Sequence, residues 1–497
     1  TKKRARAIKK VITMANEMEK TKILFVASEA VPFIKTGGLA DVMGALPKTL
    51  SKMGYDVRVV IPKYSGIKPE YTKKMKPIYQ GIVNLAWRQQ YYGVETLQLD
   101  GVTYYFLDNE QYFKRDACYG YYDDGERFAY FSRAVLAMLP QIGFHPDILH
   151  CNDWHTGLVG AYLKEDFIHD PWYNGMKVVY TIHNLKYQGV YGPDILVDVI
   201  GLPYELFANG NLEQDGNINY LKAGLVYADQ ITTVSPTYAK EITYPYFGEG
   251  LDGFMRENQD KITGILNGLD VDAYNPETDP FIKAKYTEKN ARAAKRINKD
   301  TLRQELGLRV KRGVPLLAMV TRLTESKGLD LVTRIMDELM DDDVQLVIVG
   351  TGDAAYEDAF RGLQERKPTK VSAQITFNEA LAHKVYAASD MFLMPSRYEP
   401  CGLAQMIALR YGSIPIVRET GGLKDSVIPY DKYTRKGNGL TFANFNAHEL
   451  LFTAKRGMGY YEDDVIWNQL TKNAMESDFS WDRSAREYVK LYGKVMG

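Results

Sequence analysis

Lys22-Ile23-Leu24-Phe25-Val26-Ala27-Ser28, followed closely by Lys35-Thr36-Gly37-Gly38-Leu39-Ala40-Asp41, sets a buried strand before a helix that starts on glycine. Leu39, Met43, Leu46 and Leu50 fall at helical spacing, so the junction reads as strand, tight loop, helix. Two readings of the glycines stand. At a helix start they let backbone N–H groups approach an anion that the helix dipole also favours, with Lys35 adding a mobile positive charge. Alternatively they only supply a turn with φ > 0. A second copy, Thr420-Gly421-Gly422-Leu423-Lys424-Asp425 after the strand Ser413-Ile414-Pro415-Ile416-Val417, favours the anion cradle.

Working outward, apolar strands alternate with helical patterns. Strands are expected at 22–28, 56–61, 103–107, 147–150, 177–182 and 230–234, and again at 316–321, 344–350, 373–377, 390–394 and 414–418. This alternation predicts an α/β chain of parallel sheets with helices on both faces. Two series, each with its own TGGL loop, predict two Rossmann-like domains facing each other across a cleft. In such sheets ligands bind beyond the carboxyl ends of the strands. An Asn-Gly turn in Ile265-Leu266-Asn267-Gly268-Leu269-Asp270 marks the expected boundary, giving domains at 21–264 and 265–480 after a basic extension, 1–20. The charged stretch 282–313 reads as a helical entry to the second domain.

The 497 residues exceed one ordinary core, and 45% hydrophobic with 25% charged residues is a globular composition. Zero formal charge gives no general attraction to nucleic acid or an anionic membrane, and no run of about 18 apolar residues predicts a spanning helix. Three cysteines form no paired framework, which fits a reducing compartment. The expected location is the cytoplasm, or the plastid stroma for a plant or algal source. The start at Thr1 fits a piece of a longer precursor, and residues 1–10 read as a solvated, partly frayed basic extension or, alternatively, as an amphipathic basic helix that touches a partner or an organellar import system.

Polar motifs stand at the strand ends. Asp147-Ile148-Leu149-His150-Cys151-Asn152-Asp153-Trp154-His155 offers His and Asp, but the His150–His155 spacing matches no common metal set; sugar recognition or helix capping fits better. Thr181-Ile182-His183-Asn184-Leu185-Lys186 repeats the pattern, and His183 reads either as a functional group or as a hydrogen-bonded core residue. In the second series, Arg322 and Lys327 in Thr321-Arg322-Leu323-Thr324-Glu325-Ser326-Lys327-Gly328 can neutralise a diphosphate, Arg bidentately and Lys as a point charge. Val349-Gly350-Thr351-Gly352-Asp353 resembles a nucleotide turn only weakly, and Phe377 either stacks on a base or packs in the core. In Ser396-Arg397-Tyr398-Glu399-Pro400-Cys401-Gly402-Leu403-Ala404, Glu399 precedes a helix expected at 403–411. Its carboxylate can hold sugar hydroxyls while the N–H groups of Gly402, Leu403 and Ala404 hold a phosphate, or it can merely complement the helix dipole. Cys401 has no His base nearby in sequence and is not assigned as a nucleophile. The acidic run Asp341-Asp342-Asp343 precedes its strand, so no metal site is expected and the diphosphate charge falls to Lys35, Arg322, Lys327 and backbone N–H groups.

Together KTGGLADV (35–42), HNLKYQG (183–189), ILNGLD (265–270), RLTESKGLD (322–330), VGTGD (349–353), SRYEPCGL (396–403) and TGGLKDSV (420–427) resemble the bacterial glycogen synthase and plant starch synthase family over residues 21–497. The resemblance implies a glycosyltransferase-B fold and transfer of glucose from ADP-glucose to the non-reducing end of an α-1,4-glucan, with retention and without metal or other cofactor. It implies a C-terminal helix near 482–495 that packs back on the first domain, so that 481–497 is a crossing segment. By the same resemblance Lys35, Gly37, Gly38 and Asp41 serve the donor phosphates, and Asp153, His183 and Asn184 serve the transferred glucose. Asn267 lies by the interdomain cleft, Arg322 and Lys327 stabilise the leaving group, and Glu399 holds glucose hydroxyls with the segment Cys401–Ala404. Phe377 lies near the adenine, and Tyr119 and Trp154 line the acceptor site. Two competing classes remain, a glucan-binding scaffold with a decayed site and a dinucleotide oxidoreductase. The second lacks a full GxGxxG with its acidic partner.

Overall fold

The computed structural model describes residues 20–497; the extension expected at 1–20 lies, but for residue 20, outside the described residues. Short apolar segments form the strands because both of their faces are covered: Lys22–Val26 (β1) is apolar at Ile23, Leu24, Phe25 and Val26, all fully buried. The first sheet continues with Asp56–Pro62 (β2), Lys76–Leu85 (β3), Arg88–Leu99 (β4), Val102–Asp108 (β5), Ile148–Asn152 (β6) and Lys177–Ile182 (β7). Val190–Tyr191 (β8), Glu213–Gln214 (β9) and Asn217–Asn219 (β10) make a small separate sheet, and Gln230–Thr233 (β11) and Ile262–Gly264 (β12) return to the first. Its order is β12-β11-β7-β6-β1-β2-β5-β4-β3. The pairs β7–β6, β6–β1, β1–β2 and β2–β5 are parallel, whereas β5–β4 and β4–β3 are antiparallel.

The second sheet comprises Leu316–Val320 (β13), Gln345–Val349 (β14), Val371–Gln374 (β15), Met391–Met394 (β16), Ile414–Arg418 (β17) and Leu440–Phe442 (β18). Its order, β15-β14-β13-β16-β17-β18, is parallel at every pair. Each expected strand is therefore present within a few residues. The hairpin β3–β4 was not expected. Its turn is carried by Ala86 at φ +49° rather than by Gly, Asn or Asp, so no turn signal marks it.

The described residues divide into two compact units: residues 20–232, 257–263 and 485–497, and residues 233–256 and 264–484. This differs from a single boundary near 265. Residues 233–256 join the second unit because the helix Pro236–Glu241 is tied there: Thr237 donates through N–H (2.8 Å) and Oγ1 (2.6 Å) to Asp425, and Glu241 accepts from Thr420. The entry 282–313 is helical only over Ala291–Glu305. The final helix, Trp481–Met496, begins in the second unit and passes into the first at 484–485.

There Tyr492 anchors it. The fully buried His150 bonds Tyr492 Oη through Nδ1 (2.7 Å) and Thr181 Oγ1 through Nε2 (2.6 Å), with Phe25 stacked on its ring at 4.6 Å. Burial, and then the neighbouring His183, push its pKa down to about 3, so the ring is neutral. His150 is thus a core residue that docks the last helix. Tyr492→Phe leaves a buried imidazole nitrogen unpaired and is expected to cost about 1–3 kcal/mol. Urea unfolding of the full chain measures this, and a loss indistinguishable from zero would remove His150 from that role.

Candidate active site

In the first unit β1, β6 and β7 are neighbours, so the loops leaving their carboxyl ends converge. After β1 the helix Gly38–Lys52 starts with Gly37 as its uncapped N-cap, and Leu39, Met43, Leu46 and Leu50 are buried as the spacing predicts. The loop already holds an anion. The carboxylate of Glu29, only 1% exposed, accepts the N–H groups of Thr36 and Gly37 (3.1 Å for Gly37). Burial raises its pKa, opposed by these bonds and by Tyr119. Sequence reasoning missed Glu29. Its signal was a carboxylate inside the otherwise apolar segment that follows β1. Lys35 is half-exposed and pairs with Asp41 at 2.8 Å.

Tyr119 packs on His155 with ring centroids 4.6 Å apart. Its loop is pinned by the buried Arg127, which donates to Cys118 O (3.0 Å), Tyr112 O (2.7 Å) and Asp124 (2.6 Å). Trp154 stacks on His155 at 4.1 Å and meets Phe128 edge-on at 5.2 Å. Gly189 passes so close that a Cβ there would lie 2.3 Å from the indole.

Asp153 leaves β6 at φ +57°, ψ 177°, a region essentially reserved for glycine, so the site stores strain of about 1–3 kcal/mol. Its carboxylate accepts the N–H of His183 at 2.8 Å. Burial pushes its pKa up to about 7; the N–H groups of His183 and Asn184 oppose this and the charge of Glu29 adds to it. Asn184 closes a local turn, accepting from the N–H of Lys186 at 3.1 Å. His183 has its pKa pushed down to about 3 by burial, so it is neutral. Its tautomer follows from its partner. Asn152 Nδ2 donates to Val26 O and His150 O (3.1 and 3.0 Å), which leaves Oδ1 to accept from His183 Nε2 at 2.9 Å. Nε2 therefore carries the proton, and Nδ1 is an acceptor.

In the second unit β13, β16 and β17 are adjacent, and their loops pack backbone to backbone. Gly328 (φ +70°) approaches so closely that a Cβ would lie 2.0 Å from Pro395 O, and Gly350 would bring one to 1.8 Å from Thr321 O. The VGTGD segment thus supports the Arg322 loop. Across this contact Lys327 Nζ donates to Glu399 Oε2 at 2.6 Å, and Ser396 Oγ donates to the same oxygen at 3.2 Å. Arg322 is exposed, and its guanidinium has no partner among the described residues.

The second TGGL loop does not present an open cradle. Gly421 N–H donates to the Glu241 carboxylate (3.1 Å to each oxygen), and Gly422 N–H to Glu399 O and Pro400 O (3.1 Å each). This loop braces the Glu399 segment, because a Cβ on Gly422 would lie 2.0 Å from Cys401 O. The helix beyond is Ala404–Arg410, one residue shorter at each end than expected, with Leu403 as N-cap and Gly402 at φ +76°. Cys401 is buried, and burial pushes its thiol up to about 12, which removes it as a nucleophile. The buried Asn267 lies beside it with an Oδ1 that has no hydrogen-bond partner. Phe377 is 94% exposed beyond the end of β15, so its ring is not a core residue. Among the described residues no group of three or more His, Cys, Asp or Glu is arranged to hold a metal ion.

A family profile described as starch synthase catalytic domain matches residues 22–257, and one described as glycosyl transferases group 1 matches 298–454. The glycogen synthase of Geobacillus thermodenitrificans is 53% identical over 475 residues, covering 96% of this chain and 98% of its own. The chain belongs to the glycogen synthase family. It is accordingly a glucosyltransferase with two parallel-sheet domains in the glycosyltransferase-B fold. The glycogen synthase of Bacillus anthracis is 52% identical over 95% of this chain and 99% of its own. The catalytic domain of starch synthase IV from Arabidopsis thaliana, solved with ADP and acarbose bound, superposes with a TM-score of 0.87 at 33% identity, covering 96% of this chain and all of that one. A sucrose-phosphate synthase from Thermosynechococcus elongatus shares the fold at 18% identity and a TM-score of 0.58, covering 96% of this chain and 99% of that one. No helix among the described residues is long and apolar enough to cross a membrane.

Asp153 yields a pH prediction. Its folded pKa of about 7 lies above the unfolded value near 4, so the folded chain binds this proton more tightly. Stability therefore falls as pH rises from about 4 to about 7 and levels off above. Asp153→Asn should flatten that slope and be the more stable form at pH 8. Urea midpoints at pH 5 and 8 decide it, and identical slopes in both proteins would refute the assignment.

Proposed function

We propose that the chain elongates an α-1,4-glucan at its non-reducing end with glucose from ADP-glucose, retaining the anomeric configuration without a metal ion. The observation that carries this reading is the Lys327–Glu399 pair, 2.6 Å apart, with the unpartnered Arg322 on the same loop as Lys327. A carboxylate held by an ammonium is positioned to accept glucose hydroxyls. The same ammonium and the guanidinium on its loop are the cations a diphosphate needs as charge develops on it.

In this scheme the second unit takes the donor. Phe377 offers an open ring to adenine, Arg322 and Lys327 bind the diphosphate, and the N–H groups of Gly402, Leu403 and Ala404 assist. The unsatisfied Oδ1 of Asn267 accepts a donor hydroxyl, which removes the cost of a buried unpaired oxygen. Lys35, with Asp41, Gly37 and Gly38, serves donor phosphates. Neutral His183 accepts a glucose hydroxyl at Nδ1, Asp153 and Asn184 hold that loop, and Tyr119 and Trp154 line the acceptor site.

Chemically, the bond from the anomeric carbon to the diphosphate oxygen breaks through an oxocarbenium-like state. The acceptor 4-hydroxyl attacks on the same face, and its proton passes to the departing phosphate oxygen. ADP leaves, and the glucan is longer by one residue. Charge stabilisation and positioning supply the rate.

Labelled glucose incorporation onto glycogen tests the scheme. ADP-glucose should serve as donor in preference to UDP-glucose, and a chelator should leave turnover unchanged. Lys327→Ala and Glu399→Ala should each lower kcat by about 10²-fold or more while thermal unfolding is preserved. Near-normal turnover in either variant would sink it.

A further inference from the structure

The second unit contains a cavity of about 960 Å³ built from residues the glucosyl-transfer scheme does not use. One wall is the helix Ala291–Glu305, which places Arg292, Lys295, Arg296, Lys299 and Arg303 on a single face at three- and four-residue spacing. Arg312, outside that helix, also lines the cavity.

Part of this charge is spent locally. Lys299 Nζ bonds Asp390 Oδ2 at 2.7 Å and Tyr461 Oη at 2.8 Å, Arg303 pairs with Asp300 at 3.1 Å, and Arg292 pairs with Asp464. Three cations remain without a carboxylate. Lys295 is 6% exposed, and its Nζ donates only to carbonyl oxygens, those of Tyr386, Ala387 and Tyr411 at 3.2, 3.0 and 2.9 Å. Arg296 and Arg312 are exposed, and their guanidinium groups have no hydrogen bond or ion pair among the described residues. Against these three, Glu462 is the single lining carboxylate that lacks a partner among the described residues.

Burying an ammonium is costly; the three carbonyl bonds and the nearby Asp390 meet part of that cost for Lys295, and an anion entering the cavity adds to that compensation through charge rather than through a further hydrogen bond. With Lys295 protonated the net excess is two positive charges, which matches a dianion. Two unoccupied guanidinium forks select phosphate geometry over a single carboxylate. A neutral glucan has no use for such a site, and a concave cavity of this size admits a small molecule rather than a nucleic-acid backbone.

We propose that this cavity binds a phosphate dianion, either free or carried on a small phosphorylated sugar, at a site separate from the Lys327–Glu399 centre. Proton linkage accompanies it. Burial pushes Lys295 down to about 7; Asp390 holds it up and Lys299 pushes it down. The Tyr286 ring, 5.8 Å from Nζ, is the aromatic group facing it. An anion entering the cavity favours the charged ammonium, so binding near pH 8 takes up a proton.

Calorimetric titration of the full chain at pH 8 with inorganic phosphate and, separately, with glucose 1-phosphate tests this. The tighter ligand identifies the source of the phosphate. In the double variant Arg296→Ala, Arg312→Ala, whose positions are exposed and outside the catalytic machinery, the affinity should fall about ten-fold or more, while ADP-glucose turnover measured without phosphate is unchanged. Lys327→Ala, which removes a phosphate ligand from the catalytic centre, should retain the binding. The binding heat should vary with buffer ionisation enthalpy in the sense of proton uptake. Unaltered affinity in the double variant, or loss of all binding in folded Lys327→Ala, would overturn the proposal.

Discussion

Parallel pairing obliges every strand of a Rossmann-like sheet to release its chain at the same edge. In this protein that constraint does most of the site building. Because β1, β6 and β7 are neighbours, the Glu29–Gly37 cradle, the strained Asp153 and His183 arrive together although about 150 residues separate the first from the last. Adjacency of β13, β16 and β17 likewise brings Lys327 to Glu399 across 72 residues of sequence. Glycines complete the work, since only a missing Cβ lets Gly328, Gly350 and Gly422 pass at the distances seen.

Electrostatically, the two TGGL loops resolve the same problem twice. Each gives its N–H groups to a protein carboxylate, Glu29 in the first unit and Glu241 in the second, and each carboxylate has its pKa raised by burial. In the first loop that carboxylate occupies donors which the sequence reading reserved for phosphate. A substrate anion there competes with Glu29 or relies on Lys35 beside it. In the second the donors serve to fix the Glu399 backbone.

Much of this was legible in the sequence because the signals are local. Runs such as KILFV and QLVIV, buried on both faces, read as parallel strands, and polar residues immediately after them read as site residues. The hairpin β3–β4 was not legible, since its turn is made by Ala86 rather than a turn residue and its faces are half solvated. Glu29 was missed because its role depends on loop closure, not on spacing. The open-cradle reading of Thr420–Gly422 failed for the same reason: a motif specifies backbone shape, while its partner, Glu241, comes from 179 residues away. His150 and Phe377 show the limit from two sides. One polar strand-end residue proved to be core, and one aromatic proved to be fully open.

The path of the chain between the units carries a last implication. It passes from one unit to the other at 232–233, 256–257, 263–264 and 484–485, the last of these inside a continuous helix. Neither unit is a contiguous stretch of sequence, so neither is a portable module. A gene fusion or chimera that exchanged one half by a single cut near residue 265 would strip residues 233–256 from the second unit and the closing segment 485–497 from the first. Recombination that preserves both cores has to splice at four places at once, a topological lock that ties the inheritance of one unit to that of the other.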